Sequence, residues 1–304
     1  MRRVIVGLTM PVLLVSAGCS GSEDAAPVKV GTLASVTVTG PTTATPVVDF
    51  AAPIRFVKTA DKIVQAGPGT GPAVERSSLV TVQFVGINAT DESTFGTSWQ
   101  KGPSTFYVNS AVKSFGDGLI GAHAGDRVLI GAQARDAFGA TGNLASSVRP
   151  GDSVIFVVDV ESVAPEQTIP ANVPTLAYDS SGDPSKFTAD DRTLDKPTSL
   201  GIYPIIEGTG PIVKSGDVIS VEYFGQIYPD GSVFNAWTGQ SFDAQLGANQ
   251  VIDGWDIGLV GQRVGARVVL VIPPDQAYGK KAQSGIPANS TLIFAIQILA
   301  VNAT

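Results

Sequence analysis

Val218-Ile219-Ser220-Val221-Glu222-Tyr223-Phe224-Gly225 decides the fold, because its central part is written twice. From Ile219 to Tyr223 it alternates apolar or aromatic with polar, the period of a half-buried strand. Val221-Glu222-Tyr223-Phe224-Gly225 answers to Val82-Gln83-Phe84-Val85-Gly86, an offset of 139. Gly208-Thr209-Gly210-Pro211 repeats Gly69-Thr70-Gly71-Pro72 at that same offset, and Ala277-Tyr278-Gly279 repeats Ala137-Phe138-Gly139 one residue further on. Three anchors in one order and nearly one register specify an internal duplication. Upstream, Pro46 to Phe50 pairs with Pro174 to Tyr178. The units are therefore 45–163 and 172–304, joined by a Pro/Glu/Thr/Ala linker at 164–171.

Composition agrees with two ordinary domains. The chain has 304 residues, 43% hydrophobic and only 15% charged, so it buries a substantial core. With 34 Gly and 20 Pro and no three-residue period, it is a chain of turns and short strands. Arg267 to Ile272 and Thr291 to Leu299 read as further strands, and Pro229-Asp230-Gly231-Ser232 as a turn. The one helical candidate runs from about Asp253 to Val260, with Trp255, Leu259 and Val260 on one side. The fold class is α+β, each unit an antiparallel β-sheet wrapped around one short α-helix.

The N-terminus reads as a targeting segment. Arg2 and Arg3 precede an apolar run from Val4 to Val15 that ends in Ser16-Ala17-Gly18-Cys19. The run is too short to span a bilayer, which takes roughly 20 residues. The tetrapeptide resembles a bacterial lipobox, with Ser where Leu is usual, and Cys19 is the only cysteine in the chain. Residues 1–19 are thus expected to be a lipoprotein signal peptide. The mature chain would be exported and anchored to the outer face of the bacterial cell membrane by a lipidated Cys19. Residues 20–44, rich in Ser, Gly, Ala, Thr and Val, read as a flexible tether. The alternative is an extra strand, because Val and Thr alternate from Ser35 to Thr39.

Several chemistries are excluded. A net charge of −7 makes the chain a poor nucleic-acid binder. One histidine, His123, and one cysteine cannot build a Cys/His zinc site or a Cys–His dyad within one chain. Gly208-Thr209-Gly210-Pro211 lacks the Lys-Ser/Thr of a phosphate loop and reads as a turn before a strand. Asp190-Asp191 has no further ligands nearby, and no Gly-x-Ser-x-Gly elbow occurs. No metal and no cofactor is expected. Aromatic and aliphatic residues remain, some of them in loops, where large apolar groups tend to serve binding.

Residues 172–304 resemble the FKBP family of peptidyl-prolyl cis/trans isomerases. The resemblance rests on Gly208 to Pro211, Val221 to Gly225, Asp230-Gly231-Ser232-Val233-Phe234-Asn235, Leu246-Gly247, Val251 to Leu259, Val264-Gly265, Pro273 to Gly279 and Ile286 to Leu292. They span nearly the whole unit in the family's order. The resemblance implies a pocket between sheet and helix, with Trp255 as its floor. Tyr223, Phe234, Phe242, Val251, Ile252, Tyr278 and Phe294 would be its walls, with Ile286 added from a loop. It assigns the Ile252 N–H and the Tyr278 hydroxyl to substrate carbonyls. The partners it implies are proline-containing exported polypeptides, and it admits macrolides of the kind directed at this family. One departure is Asn235, where the family usually has Asp.

The first unit is degenerate at these positions. Tyr223 becomes Phe84, Asn235 becomes Gly96, Val251-Ile252 becomes Ala111-Val112, Trp255 becomes Phe115 and Tyr278 becomes Phe138, while Phe234 is kept as Phe95. The stretch from Phe106 to Phe115 is also four residues shorter than that from Phe242 to Trp255. Both hydroxyls and the indole N–H are gone while apolar bulk stays. This is the pattern of an inactive scaffold or a weak binder of apolar segments.

Overall fold

The computed structural model describes residues 29–192 and 194–302, so the readings of the signal segment and of Cys19 lie outside the described residues. Two sheets dominate. The first has the strand order Ala60–Gln65, Arg127–Gln133, Ser153–Val163, Leu79–Asn88, Thr94–Thr97, and Ser104–Tyr107 also pairs with Leu79–Asn88. The second repeats this order with Gly201–Ile206, Arg267–Ile272, Leu292–Asn302, Val218–Ile227, Val233–Asn235, and with Phe242–Gln245 beside Val218–Ile227. Every pairing in both sheets is antiparallel. Two sheets of identical topology are what the repeated anchors require.

A short helix lies on one face of each sheet, Lys113–Leu119 in the first unit and Asp253–Gly258 in the second. Trp255 and Leu259 pack there against Ile219, Val221, Val268, Leu270, Phe294 and Ile296. The helix lies close because a glycine faces the sheet: a Cβ on Gly254 would stand 2.5 Å from Ile272 Cγ2. The first unit has one helix more than expected, Ala134–Phe138, in the loop that carries Phe138. The second unit makes only a 3-10 turn there, Pro274–Gln276.

The tether reading of residues 20–44 fails for the part that is described. Thr37–Thr39 pairs with Val47–Asp49, and Lys29–Val30 with Ile54–Arg55. Val36, Ile54 and Phe56 are buried against Val85, Ile87, Leu129, Ile155 and Val157, on the sheet face away from the helix. The cause is in the strands: Arg127 to Ala132 is buried at every position, so both faces of this sheet need a cover. The extra-strand alternative describes Thr37–Thr39. The second sheet is covered likewise, by Val173, Leu176 and Phe187 over Phe224, Val269, Val271 and Ile293. The two covers are built in opposite senses. Val47–Asp49 pairs with the strand before it, whereas Thr175–Tyr178 pairs with the strand after it, Pro184–Thr188. The linker is fastened to both units, since the Ala164 N–H donates to Leu79 O and the Gln167 N–H to Ile205 O.

The Gly-Thr-Gly-Pro repeat has a steric reason in the second unit. A Cβ on Gly208 would lie 2.4 Å from Val264 O and 2.5 Å from Ala266 N, both main-chain atoms. We expect Gly208→Ala to destabilise the protein by about 1–3 kcal/mol, the cost of overpacking where the backbone must shift. Gly69→Ala meets nothing within 4 Å, although its φ of +65° adds strain there. Urea midpoints of the two variants check this, and an unchanged midpoint for Gly208→Ala refutes the steric account.

Candidate active site

The second unit holds a cavity of about 320 Å³ between its sheet and its helix. All ten residues singled out in the sequence line it: Tyr223, Phe234, Asn235, Phe242, Val251, Ile252, Trp255, Tyr278, Ile286 and Phe294. Strand Val218–Ile227 supplies Tyr223, and strand Leu292–Asn302 supplies Phe294. Val251 and Ile252 lead into the helix, whose Trp255 is buried. Ile286 reaches the cavity from a loop closed by two reciprocal main-chain hydrogen bonds with Gln283, both 2.9 Å.

The aromatic walls form one edge-to-face cluster. Trp255 stands 5.0 Å from Tyr223 at 87° and 5.5 Å from Phe294 at 86°, and Phe234 stands 5.5 Å from Phe294 at 76°. Such edge-on contacts fix ring orientation and contribute about 0.5–1.5 kcal/mol each beyond burial. The Tyr278 ring makes no such contact among the described residues and is only partly buried.

Some polar groups in this site are unspent and others are engaged. The Trp255 indole Nε1 is buried without a partner. Among the described residues, no hydrogen bond engages the Ile252 N–H or the Tyr278 hydroxyl. The Asn235 amide donates to Tyr223 O at 3.0 Å, a bond the carboxylate usual in the family could not make. Burial pushes the Tyr223 hydroxyl above the usual tyrosine range, and nearby Tyr278 adds to the effect. Gln250, Gln283 and Ser284 complete the lining. Sequence reasoning missed these three because they are polar loop residues between the recurring anchors. The cavity thus combines an aromatic and aliphatic wall with uncharged polar side chains and has no charged residue in its lining, with main-chain and hydroxyl donors held open.

The first unit is built differently at the same place. Phe84 and Phe106 meet Phe115 at 5.7 and 5.8 Å, and Phe156 meets it at 5.1 Å. Phe138, the counterpart of Tyr278, packs edge-on against Phe95 at 5.7 Å. The ring that stands apart in the second unit therefore joins the cluster in the first. Ser104–Tyr107 also runs straight into the turn Val108–Ser110, so nothing corresponds to the Gly247–Gln250 segment.

A wider hollow of about 720 Å³ lies behind the second sheet, beside Arg192, Asp195, Tyr203 and Tyr228. Two of its polar side chains, Arg192 and Tyr228, are already engaged. Arg192 donates to Ala189 O, Ala171 O and Thr175 Oγ1, and the Tyr228 hydroxyl donates to Asp195 O.

Comparison with protein families matches residues 71–161 and 210–299 to FKBP-type peptidyl-prolyl cis-trans isomerase, together more than half of the chain. "FK506-binding protein" of Streptomyces anulatus is 42% identical over 111 residues, 35% of this chain and 90% of that protein. "FK506-binding protein 4" of Chaetomium thermophilum is 50% identical over 95 residues, 31% of this chain and 20% of that protein. Among solved structures, the three FKBP domains of wheat FKBP73 align over 81% of this chain and 95% of that one, at 19% identity and a TM-score of 0.36. The chain thus spans only about a fifth of the length of some curated relatives and nearly all of others.

Proposed function

The chain belongs to the FKBP-type peptidyl-prolyl cis-trans isomerase family, and on that premise we propose that its second unit isomerises X-Pro bonds of exported polypeptides. The observation that carries this reading is the convergence of ten aromatic, aliphatic and amide side chains on one cavity of that unit. Rotation about the amide has a barrier of about 18–20 kcal/mol, because resonance is lost as the bond twists. The twisted amide has less charge separation than the planar one, so a dry apolar site favours the transition state over the ground state. The proline ring sits over Trp255. The Ile252 N–H and the Tyr278 hydroxyl, both unspent, hold the flanking carbonyls. The reaction asks for no nucleophile and no proton transfer. The same cavity would take FK506, the ligand for which those relatives are named. A protease-coupled assay of the full chain with a proline peptide tests the reading; no acceleration over the uncatalysed rate overturns it.

A second reading, peptide binding with little catalysis, draws on Asn235, whose neutral amide replaces a charge at the pocket edge and is tied to Tyr223 O. Tight peptide binding without acceleration in the same assay would favour it.

The mechanism sets the pH dependence. Tyrosines are the only ionisable side chains in the lining. Burial raises the pKa of Tyr223, so its neutral form is favoured further into alkali. Nothing in the cavity changes charge between pH 6 and 8, and kcat/KM is expected to vary by less than about twofold there. A bell-shaped profile with the fold intact would show that proton transfer takes part.

The proposed site of action is the outer face of the cell membrane, with the chain held by lipid on Cys19. The support is the apolar run before a sole cysteine. Cys19→Ser is expected to release the protein from membranes or leave it unprocessed. Unchanged fractionation and mass would refute the anchor.

A further inference from the structure

We propose that the buried guanidinium of Arg267 is a latch between the two domains, made tolerable by an aromatic face that the first domain supplies. Each sheet carries a row of three polar side chains across three neighbouring strands, on the face away from its helix. In the first domain the row is Arg127, Asp159 and Gln83. In the second it is Arg267, Gln297 and Glu222. The duplication keeps the arginine and exchanges the places of the acid and the amide.

In the first domain the charge is neutralised locally. Arg127 Nε and Nη2 donate to the two Asp159 oxygens at 2.6 and 2.8 Å, and Nη1 donates to Gly40 O at 2.7 Å. Both ends of this arrangement belong to the domain itself. A bidentate pair of this kind is the geometry in which a buried guanidinium is best compensated.

The second domain leaves the cation exposed to the cost of burial. Arg267 is 0% solvent-exposed, and its neighbour across the strand is an amide, not a carboxylate. Nη2 donates to Gln297 Oε1 at 2.6 Å, while Nε and Nη1 have no hydrogen-bond partner. Glu222 and Asp183 of the same domain act on it only through space, without a hydrogen bond, and three rings stand around it: Tyr107 at 4.3 Å, Tyr178 at 5.4 Å and Trp237 at 5.7 Å from the guanidinium carbon. Cation–π attraction is strongest when, as here, the cation is desolvated.

The nearest of those rings belongs to the first domain. Tyr107 is itself buried, and its hydroxyl donates to Gly265 O at 3.0 Å. It packs with Leu79 of its own domain and Ile206 of the second. Beside it, the Asn109 amide donates to Asp183 Oδ1 at 2.6 Å and to Gly182 O at 3.3 Å. If the domains part, Arg267 loses the nearest of its three rings. Trp237, the third ring of the cage, lies two residues past Asn235, so the latch and the rim of the cavity share one short segment.

The test uses the full chain. Tyr107→Leu, which keeps apolar bulk but removes the ring, is expected to speed amide hydrogen exchange of second-domain groups at the junction, such as Ile206, roughly tenfold or more, the scale of a desolvated cation–π pair. The same change is then made in Glu222→Gln/Gln297→Asp, which rebuilds the first domain's row around Arg267. There the effect of Tyr107→Leu is expected to shrink to about twofold, because the cation has its own carboxylate; such cycles isolate a pairwise interaction. Arg267→Met, which has no charge to compensate, gives the same expectation if the rebuilt row does not fold. Unchanged exchange in Tyr107→Leu overturns the proposal. An equal effect in all backgrounds also overturns it, since Tyr107 would then act by packing alone.

Discussion

Trp255→Ala is expected to lower kcat/KM of the full chain by roughly 100-fold or more while the first domain keeps its fold. The indole is 3% exposed and is the hub of the second domain's ring cluster, touching Tyr223, Phe242 and Phe294. Removing it opens the floor on which a proline ring would rest, admits water and frees the surrounding rings to reorient. Large-to-small changes of this kind cost about 3–5 kcal/mol of stability, so the assay belongs at a temperature where circular dichroism shows the variant folded. Tyr278→Phe provides the contrast. It removes one hydroxyl and little volume, and a lost hydrogen bond of about 0.5–1.5 kcal/mol corresponds to a several-fold loss of kcat/KM. The order of the two effects tests the mechanism: desolvation by an apolar wall carries most of the acceleration, and the hydroxyl trims it. A folded Trp255→Ala variant with activity within tenfold of the parent would remove Trp255 from the site.

The candidate site was legible because its residues are large, rare in loops and arranged in a recurring order. Tyr223, Phe234, Trp255 and Tyr278 come from two strands, a helix and a loop spread over more than fifty residues, yet the pattern around them identified the cavity they line. What the sequence hid follows from chemistry that leaves weak local signals. The cover over the first sheet is a run of Val, Thr, Ser and Gly whose composition suits a tether. Its role is visible only from the other side, in Arg127 to Ala132, where no position is free for solvent. Arg267 is the sharper case. In isolation it is one charged residue at a strand start, which normally means exposure. Its burial depends on Tyr107, far away in sequence and in the other repeat. Register decided the matter: shifting the acid from Asp159's place to Glu222's moves the compensation from inside a domain to the junction between two.

The catalytic work is expected to be divided unequally between the repeats, and the full chain shows this best because the two domains share a buried junction. With the second cavity disabled by Trp255→Ala, residual activity should fall to that of a peptide-binding surface without acceleration, since the first domain has Phe84, Phe115 and Phe138 where the second has Tyr223, Trp255 and Tyr278. Adding Phe138→Tyr to that chain should restore nothing. The Phe138 ring is packed against Phe95 at 5.7 Å, and a hydroxyl there does not reopen the site or replace the segment missing before Phe115. Conversely, Phe95→Ala in an otherwise native chain should change kcat/KM by less than about twofold, though it removes a ring that touches both Phe138 and Phe156 and so costs the first domain about 3–5 kcal/mol. Stability and catalysis are thereby separated: the first domain's aromatic cluster answers to denaturant and the second's to the proline assay. If the chain carrying Trp255→Ala keeps more than about a tenth of the parent activity, and Phe95→Ala removes that remainder, the first domain is an isomerase and the distinction drawn from its phenyl rings is wrong.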